Sequence, residues 1–138
     1  VSPDGQQVLV GGRGGMSITP LTRGPARPLT VTGRGGTWGA DGYIYFMLAG
    51  APGASRGIGR VSAAGGPVDT VAMTGDLGLP TDVIVLPGGK ALVAVLNRAT
   101  DVEIAAYDID HKAWHPLGVS GTEVQYVAPG YLLYTSGQ

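Results

Sequence analysis

His111 and His115 stand four residues apart, with Asp108 and Asp110 just ahead of them. On a helix that spacing would bring both imidazoles to one face, where they would suit a metal ion. Here Pro116 follows at once, and the segment reads as a β-turn with flanking strands. Residues four apart on a strand share a face but lie about 13 Å from each other, too far to hold one ion. Glu103, Asp108 and Asp110 would serve as a carboxylate pair for acid–base work if two of them met in a cleft; around a polar hairpin they read as its solvated side. Ser2, Ser55, Ser62, Ser120 and Ser136 lie in no Gly-x-Ser-x-Gly elbow, and no kinase catalytic motif is present. Gly-Arg-Gly-Gly occurs twice, at 12–15 and 33–36. A phosphate cradle needs a helix after such a run, and neither copy has one, so both are read as loops between strands. These residues support no catalytic group, no metal site and no cofactor.

The elements that must position them are β-strands. Four turn signals recur between apolar runs: Ser2-Pro3-Asp4-Gly5, Gly39-Ala40-Asp41-Gly42, Leu86-Pro87-Gly88-Gly89 and Val127-Ala128-Pro129-Gly130. Their last glycines are 37, 47 and 41 residues apart. An apolar strand follows each turn: Gln7–Val10, Tyr43–Leu48, Ala91–Leu96 and Tyr131–Tyr134. Third strands are expected at Met16–Thr19, Ile58–Ser62 and Glu103–Ile109, the last reading as half-exposed because it alternates. Fourth strands end near Leu29, Val71 and Leu117. No stretch shows a sustained helical period. The expectation is an all-β chain of about thirteen strands, in repeats near 1–33, 34–77, 78–120 and 121–138. A four-stranded repeat of about forty residues is the signature of β-propeller blades of antiparallel strands. About three blades and part of a fourth would be present. Closed propellers have roughly 4–8 blades, so these are expected to belong to a larger propeller or to complete one with another copy through open edges.

Composition narrows the partners. The 138 residues carry a net charge of −1, with 14% charged, which provides no basic excess for nucleic acid or an anionic membrane. There is no cysteine, so disulfides and thiolate metal sites are excluded. Twenty-five glycines and ten prolines fall between apolar runs, as turn chemistry does. The longest apolar run, Tyr43–Ala49, is too short to span a bilayer as a helix. The chain opens on a turn motif with no secretory signal before it, as a mature or excised piece of a longer protein would.

Ser-Pro-Asp-Gly followed by an apolar strand, Thr37-Trp38-Gly39-Ala40-Asp41-Gly42-Tyr43-Ile44-Tyr45-Phe46, and Arg60-Val61-Ser62-Ala63-Ala64-Gly65-Gly66-Pro67 resemble the WD40-like (PD40, TolB-like) β-propeller repeats of bacteria. Similar repeats occur in TolB, in the propellers of prolyl-oligopeptidase-type peptidases and in sensor regions attached to bacterial serine/threonine kinases. The run Val124-Gln125-Tyr126-Val127-Ala128-Pro129-Gly130-Tyr131-Leu132-Leu133-Tyr134 looks most like the kinase-linked type. The resemblance covers essentially the whole chain. It implies a non-catalytic module that binds protein partners, in the periplasm or outside the cell. The alternatives are an accessory propeller of a peptidase, with no hydrolytic activity of its own, or a self-associating structural subunit. Such repeats have no fixed catalytic residues, and the same fold serves many functions. Gly88 and Pro129 stand where the pattern has Asp, so side-chain bonds that stabilise the first two turns are not expected in the third and fourth.

Strands of a blade run alternately up and down, so loops after second and fourth strands share one face. Arg13, Arg56 and Arg98 fall after second strands, and Arg34 follows the fourth strand of the first repeat. Together they would form a rim for an anionic peptide, carboxylate or phosphorylated partner, with Asp76 and Asp101 in the same loop set. Trp38 and Trp114 are expected to wedge between blades.

Overall fold

The computed structural model describes residues 1–12, 15–49 and 56–136. Arg13, Gly14 and Ser55 lie outside the described residues. Thirteen strands are present among them: β1 (Gln7–Gly12), β2 (Gly15–Pro20), β3 (Arg27–Leu29), β4 (Gly33–Trp38), β5 (Tyr43–Leu48), β6 (Gly57–Ser62), β7 (Val68–Met73), β8 (Leu79–Val85), β9 (Ala91–Asn97), β10 (Val102–Asp108), β11 (Ala113–Val119), β12 (Thr122–Val127) and β13 (Tyr131–Thr135). They form two four-stranded antiparallel sheets, β4-β5-β6-β7 and β8-β9-β10-β11, flanked by the three-stranded β1-β2-β3 and the two-stranded β12-β13. This is an all-β, incomplete propeller.

The four turns are built alike. In each, the last glycine donates its amide to the residue three before it: Gly5 to Ser2, Gly42 to Gly39, Gly89 to Leu86 and Gly130 to Val127, at 2.9, 3.2, 3.1 and 3.2 Å. Asp4 also accepts the Gln6 amide at 3.0 Å, and Asp41 that of Tyr43 at 3.1 Å. This is the Asx-type bond that a turn aspartate favours. Gly88 and Pro129 have no carboxylate to make it, and the third and fourth turns keep the backbone bond alone.

Each first strand begins the same way. Gly33, Gly78 and Gly121 sit where a Cβ would meet the Met47, Asn97 and Thr135 carbonyl oxygens at 2.6, 2.8 and 2.7 Å. Just beyond, β4, β8 and β12 each carry an extra residue in a bulge, between Arg34 and Thr37, Pro80 and Asp82, and Thr122 and Gln125. The repeat is therefore conformational as well as compositional. The run 33–36, read from sequence as a loop, is strand: Gly35 adopts φ +59° at the bulge, a region glycine enters without a Cβ penalty.

The sheets stack face to face. Tyr45, Ile58 and Ala72 of the second sheet pack on Val83, Leu92, Ala94, Leu96, Ala105 and Tyr107 of the third. Met16, Ile18 and Leu29 pack on Ile44, Phe46 and Val61, and Val124 packs on Val93, Val95 and Ile104. Strands covered on both faces carry continuous apolar runs, as Ile44-Tyr45-Phe46 and Leu92 to Leu96 do. β10 is covered on both faces too, with Ile104 turned one way and Ala105 and Tyr107 the other. The half-exposed reading of this strand is corrected: alternation misled because its small residue, Ala105, marks a tight sheet contact and not a solvent face. Trp114 spans a junction, donating Nε1 to the Met73 carbonyl at 2.9 Å with its ring 4.9 Å from that of Tyr107. Trp38 packs half-buried on the cluster between the first two sheets.

Candidate functional site

The two ends of the stack differ in chemistry. A Cβ on Gly89 would lie 3.9 Å from Asp41 Oδ2, so the turns of the second and third sheets are neighbours at one end. Because strands alternate in direction, the start of β4, the start of β6 and the end of β9 lie at the other. Arg34, Arg56 and Arg98 are therefore on one end of the stack.

They are not equivalent there. Arg34 is the second residue of β4, opposite Met47, and is exposed. Arg56 precedes β6 and is exposed; its carbonyl accepts from the Thr74 amide at 2.9 Å and the Thr74 hydroxyl at 3.2 Å, which anchors the backbone and leaves the side chain outside. Arg98 is committed to the fold. Its Nε donates to the Leu77 carbonyl at 2.9 Å, its guanidinium pairs with Glu103, and Asp101 lies 3.8 Å from Nη1. Two carboxylates thus neutralise it while it ties the β7–β8 connection to the end of β9. Asp76 lies exposed in the short 3-10 turn Gly75–Leu77. No ion pair to Arg34 or Arg56 exists among the described residues.

A cleft of about 510 Å³ opens beside Arg34. Leu9, Gly11 and Gly12 of β1, Gly15 and Met16 of β2, and the 33–36 run of β4 line it. At Gly36 glycine is required for close approach, since a Cβ there would press on Leu9 Cδ2 at 2.8 Å. The result is a slot with backbone walls, an apolar floor and, among the described lining residues, Arg34 as its one ionisable side chain. It offers a planar cation to a carboxylate or phosphate.

The titratable groups singled out from sequence lie elsewhere. Asp108 accepts the His111 amide at 3.0 Å and lies 2.8 Å from Nδ1 of the ring, closing the β10–β11 turn. The hydrogen bonds from His111 hold the Asp108 carboxyl below its usual value, and Asp108 in turn raises the imidazole. Asp110 pairs with Lys90 at 3.8 Å. Glu103 is at the opposite end of β10, about 16 Å along the strand from Asp108, so the carboxylates do not converge. His115 is exposed on β11, opposite Ala106.

One cluster had no clear sequence signal. Tyr45 donates its hydroxyl to Asp41 at 2.7 Å, and the Arg60 guanidinium lies 4.5 Å over the Tyr43 ring and 3.6 Å from Asp69. Burial first, and then the Asp41 bond, push the Tyr45 phenol above its usual value. Arg60 faces Tyr45 on one side and Asp69 on the other by strand register, which becomes visible only when the pairing is known.

Fold and site together define an incomplete propeller with a glycine-walled cleft beside Arg34. Against models of known families and against curated proteins, the chain matches none.

Proposed function

We propose that this chain is a non-catalytic binding scaffold, part of a WD40-like, TolB-like propeller in a larger bacterial assembly. Its arginine end receives a protein partner through carboxylate or phosphate groups, and its place is the periplasm or the cell exterior. The observation that carries the reading is Arg34, exposed beside a cleft that holds no acidic side chain among its described residues, with Arg56 exposed at the same end. Arg98 contributes structure in place of contact, since its charge is already paired.

A fluorescein-labelled poly-glutamate peptide titrated with the chain tests this. Saturable binding is expected that weakens at least tenfold in Arg34→Glu/Arg56→Glu and falls steeply with salt, because exposed charges are screened. Binding that ignores both changes, or no binding by folded chain, overturns the reading.

A further inference from the structure

Arg34 and Arg56 stand on one sheet, and strand register fixes how far apart they are. Arg34 is opposite Met47, and Met47 is opposite Ile58. Arg56 lies two residues ahead of Ile58. Backbone pairing continues to that level on both sides: the Ala49 amide reaches the Thr32 carbonyl at 3.1 Å, and the Thr74 amide reaches the Arg56 carbonyl at 2.9 Å. Directly opposite residues share a face of a sheet, and so do residues two apart on a strand. Arg34 and Arg56 therefore leave the same face of β4-β5-β6-β7, the face that carries Met47 and Ile58.

Two strand spacings of about 4.8 Å and an offset of about 6.7 Å along the strand put their Cα atoms about 12 Å apart on the diagonal. Both backbones are held at that spacing. Thr74, only 2% exposed, also gives its hydroxyl to the Arg56 carbonyl at 3.2 Å, and Arg34 is in register just before the β4 bulge. Arg98 adds no third point, because Glu103 and Asp101 already hold its guanidinium. In an extended segment, residues four apart share a face and lie about 13 Å from each other. The two distances match.

We infer that Arg34 and Arg56 form a single two-point receptor for one extended segment of the partner, which carries two acidic side chains four residues apart. The receptor rests on the binding role proposed above and narrows the partner, since one segment must reach both arginines at once. Each point is one guanidinium, which suits the fork of one carboxylate. Once the first carboxylate is bound, the second meets its arginine at a high effective concentration, so a matched spacing strengthens binding with no other contact. The same two charges placed too far apart engage one arginine at a time.

Two isomeric labelled peptides of threonine and serine serve as rulers, each with two glutamates, four residues apart in one and ten in the other. At low salt the full chain is expected to bind the four-residue isomer at least about fivefold more tightly. Arg34→Gln and Arg56→Gln each leave one of the two guanidinium groups, and each variant is expected to bind the isomers within about twofold of one another. If the parent chain binds poly-glutamate but treats the isomers equally, or binds neither, the two-point receptor is overturned and the broader binding role stands. A spacing preference that survives both substitutions also overturns it, because the preference would then arise elsewhere. Loss of poly-glutamate binding as well, with the near-UV tryptophan signal intact, overturns both.

Discussion

Two junctions in this molecule use matching strands with different results. Between the second and third sheets, β8 crosses three strands and seals Tyr45, Ile58, Leu92 and Leu96 at 0% exposure. Between the first and second, the outer half is sealed around Ile18 and Phe46, but Leu9 stays half-buried and a cleft remains. Both junctions are lined by apolar side chains. What differs is the first strand, which fills the inner half of one junction and has no counterpart beside β1 among the described residues.

The largest effect should separate the junctions directly. Tyr45→Ala removes a fully buried ring and is expected to cost about 3–5 kcal/mol in urea unfolding, against about 1–2 kcal/mol for Leu9→Ala at the open junction. Equal losses would mean that the two are equally packed. Next, Gly33→Ala forces a Cβ to 2.6 Å from the Met47 carbonyl and should cost about 1–3 kcal/mol by overpacking. Gly12→Ala, with nothing within 4 Å of its Cβ, should stay within about 0.5 kcal/mol. A smaller step tests the polar part of the closed junction: Tyr45→Phe deletes the donor to Asp41 and should cost about 1 kcal/mol, with Arg60 left over Tyr43.

The smallest effect lies at the exposed β10–β11 turn, away from both junctions. His111 is raised above 6.5 by Asp108, so its contribution is complete below that pH and is lost as pH rises through the raised value. Asp108 is held below 3.8, so its contribution is present above 3.8 and is lost as pH falls through the lowered value. An NMR titration should place the His111 midpoint above 6.5, and Asp108→Asn should return it toward 6.5. An unchanged midpoint in that variant would remove the pair from the account.

Much of this was legible in residue types. The turn glycines Gly5, Gly42, Gly89 and Gly130 mark four turns with one hydrogen-bond pattern, because a backbone that must reverse tightly selects glycine locally. The apolar runs after them became the second strands. The 33–36 run was misread because glycine-rich segments serve both loops and tightly packed strands. Only the carbonyl of Met47 and the side chain of Leu9, distant in sequence, show which use applies. The glycines that open the first strands, Gly33, Gly78 and Gly121, recur ahead of the second, third and fourth turns, so aligning the repeats backward from those turns exposes them.

The arginines divide along the same line. Sequence order alone sets the end of the stack on which Arg34, Arg56 and Arg98 fall, because strand direction alternates with each connection. Which of them is free for a partner was decided by tertiary contacts: Glu103 and Asp101 reach Arg98 only after β9 and β10 pair. Local chemistry determined the turns, the strands and their number, since those depend on near neighbours along the chain. The cleft and the pairing of Arg98 were decided by how strands and sheets come together, which depends on residues far apart in sequence.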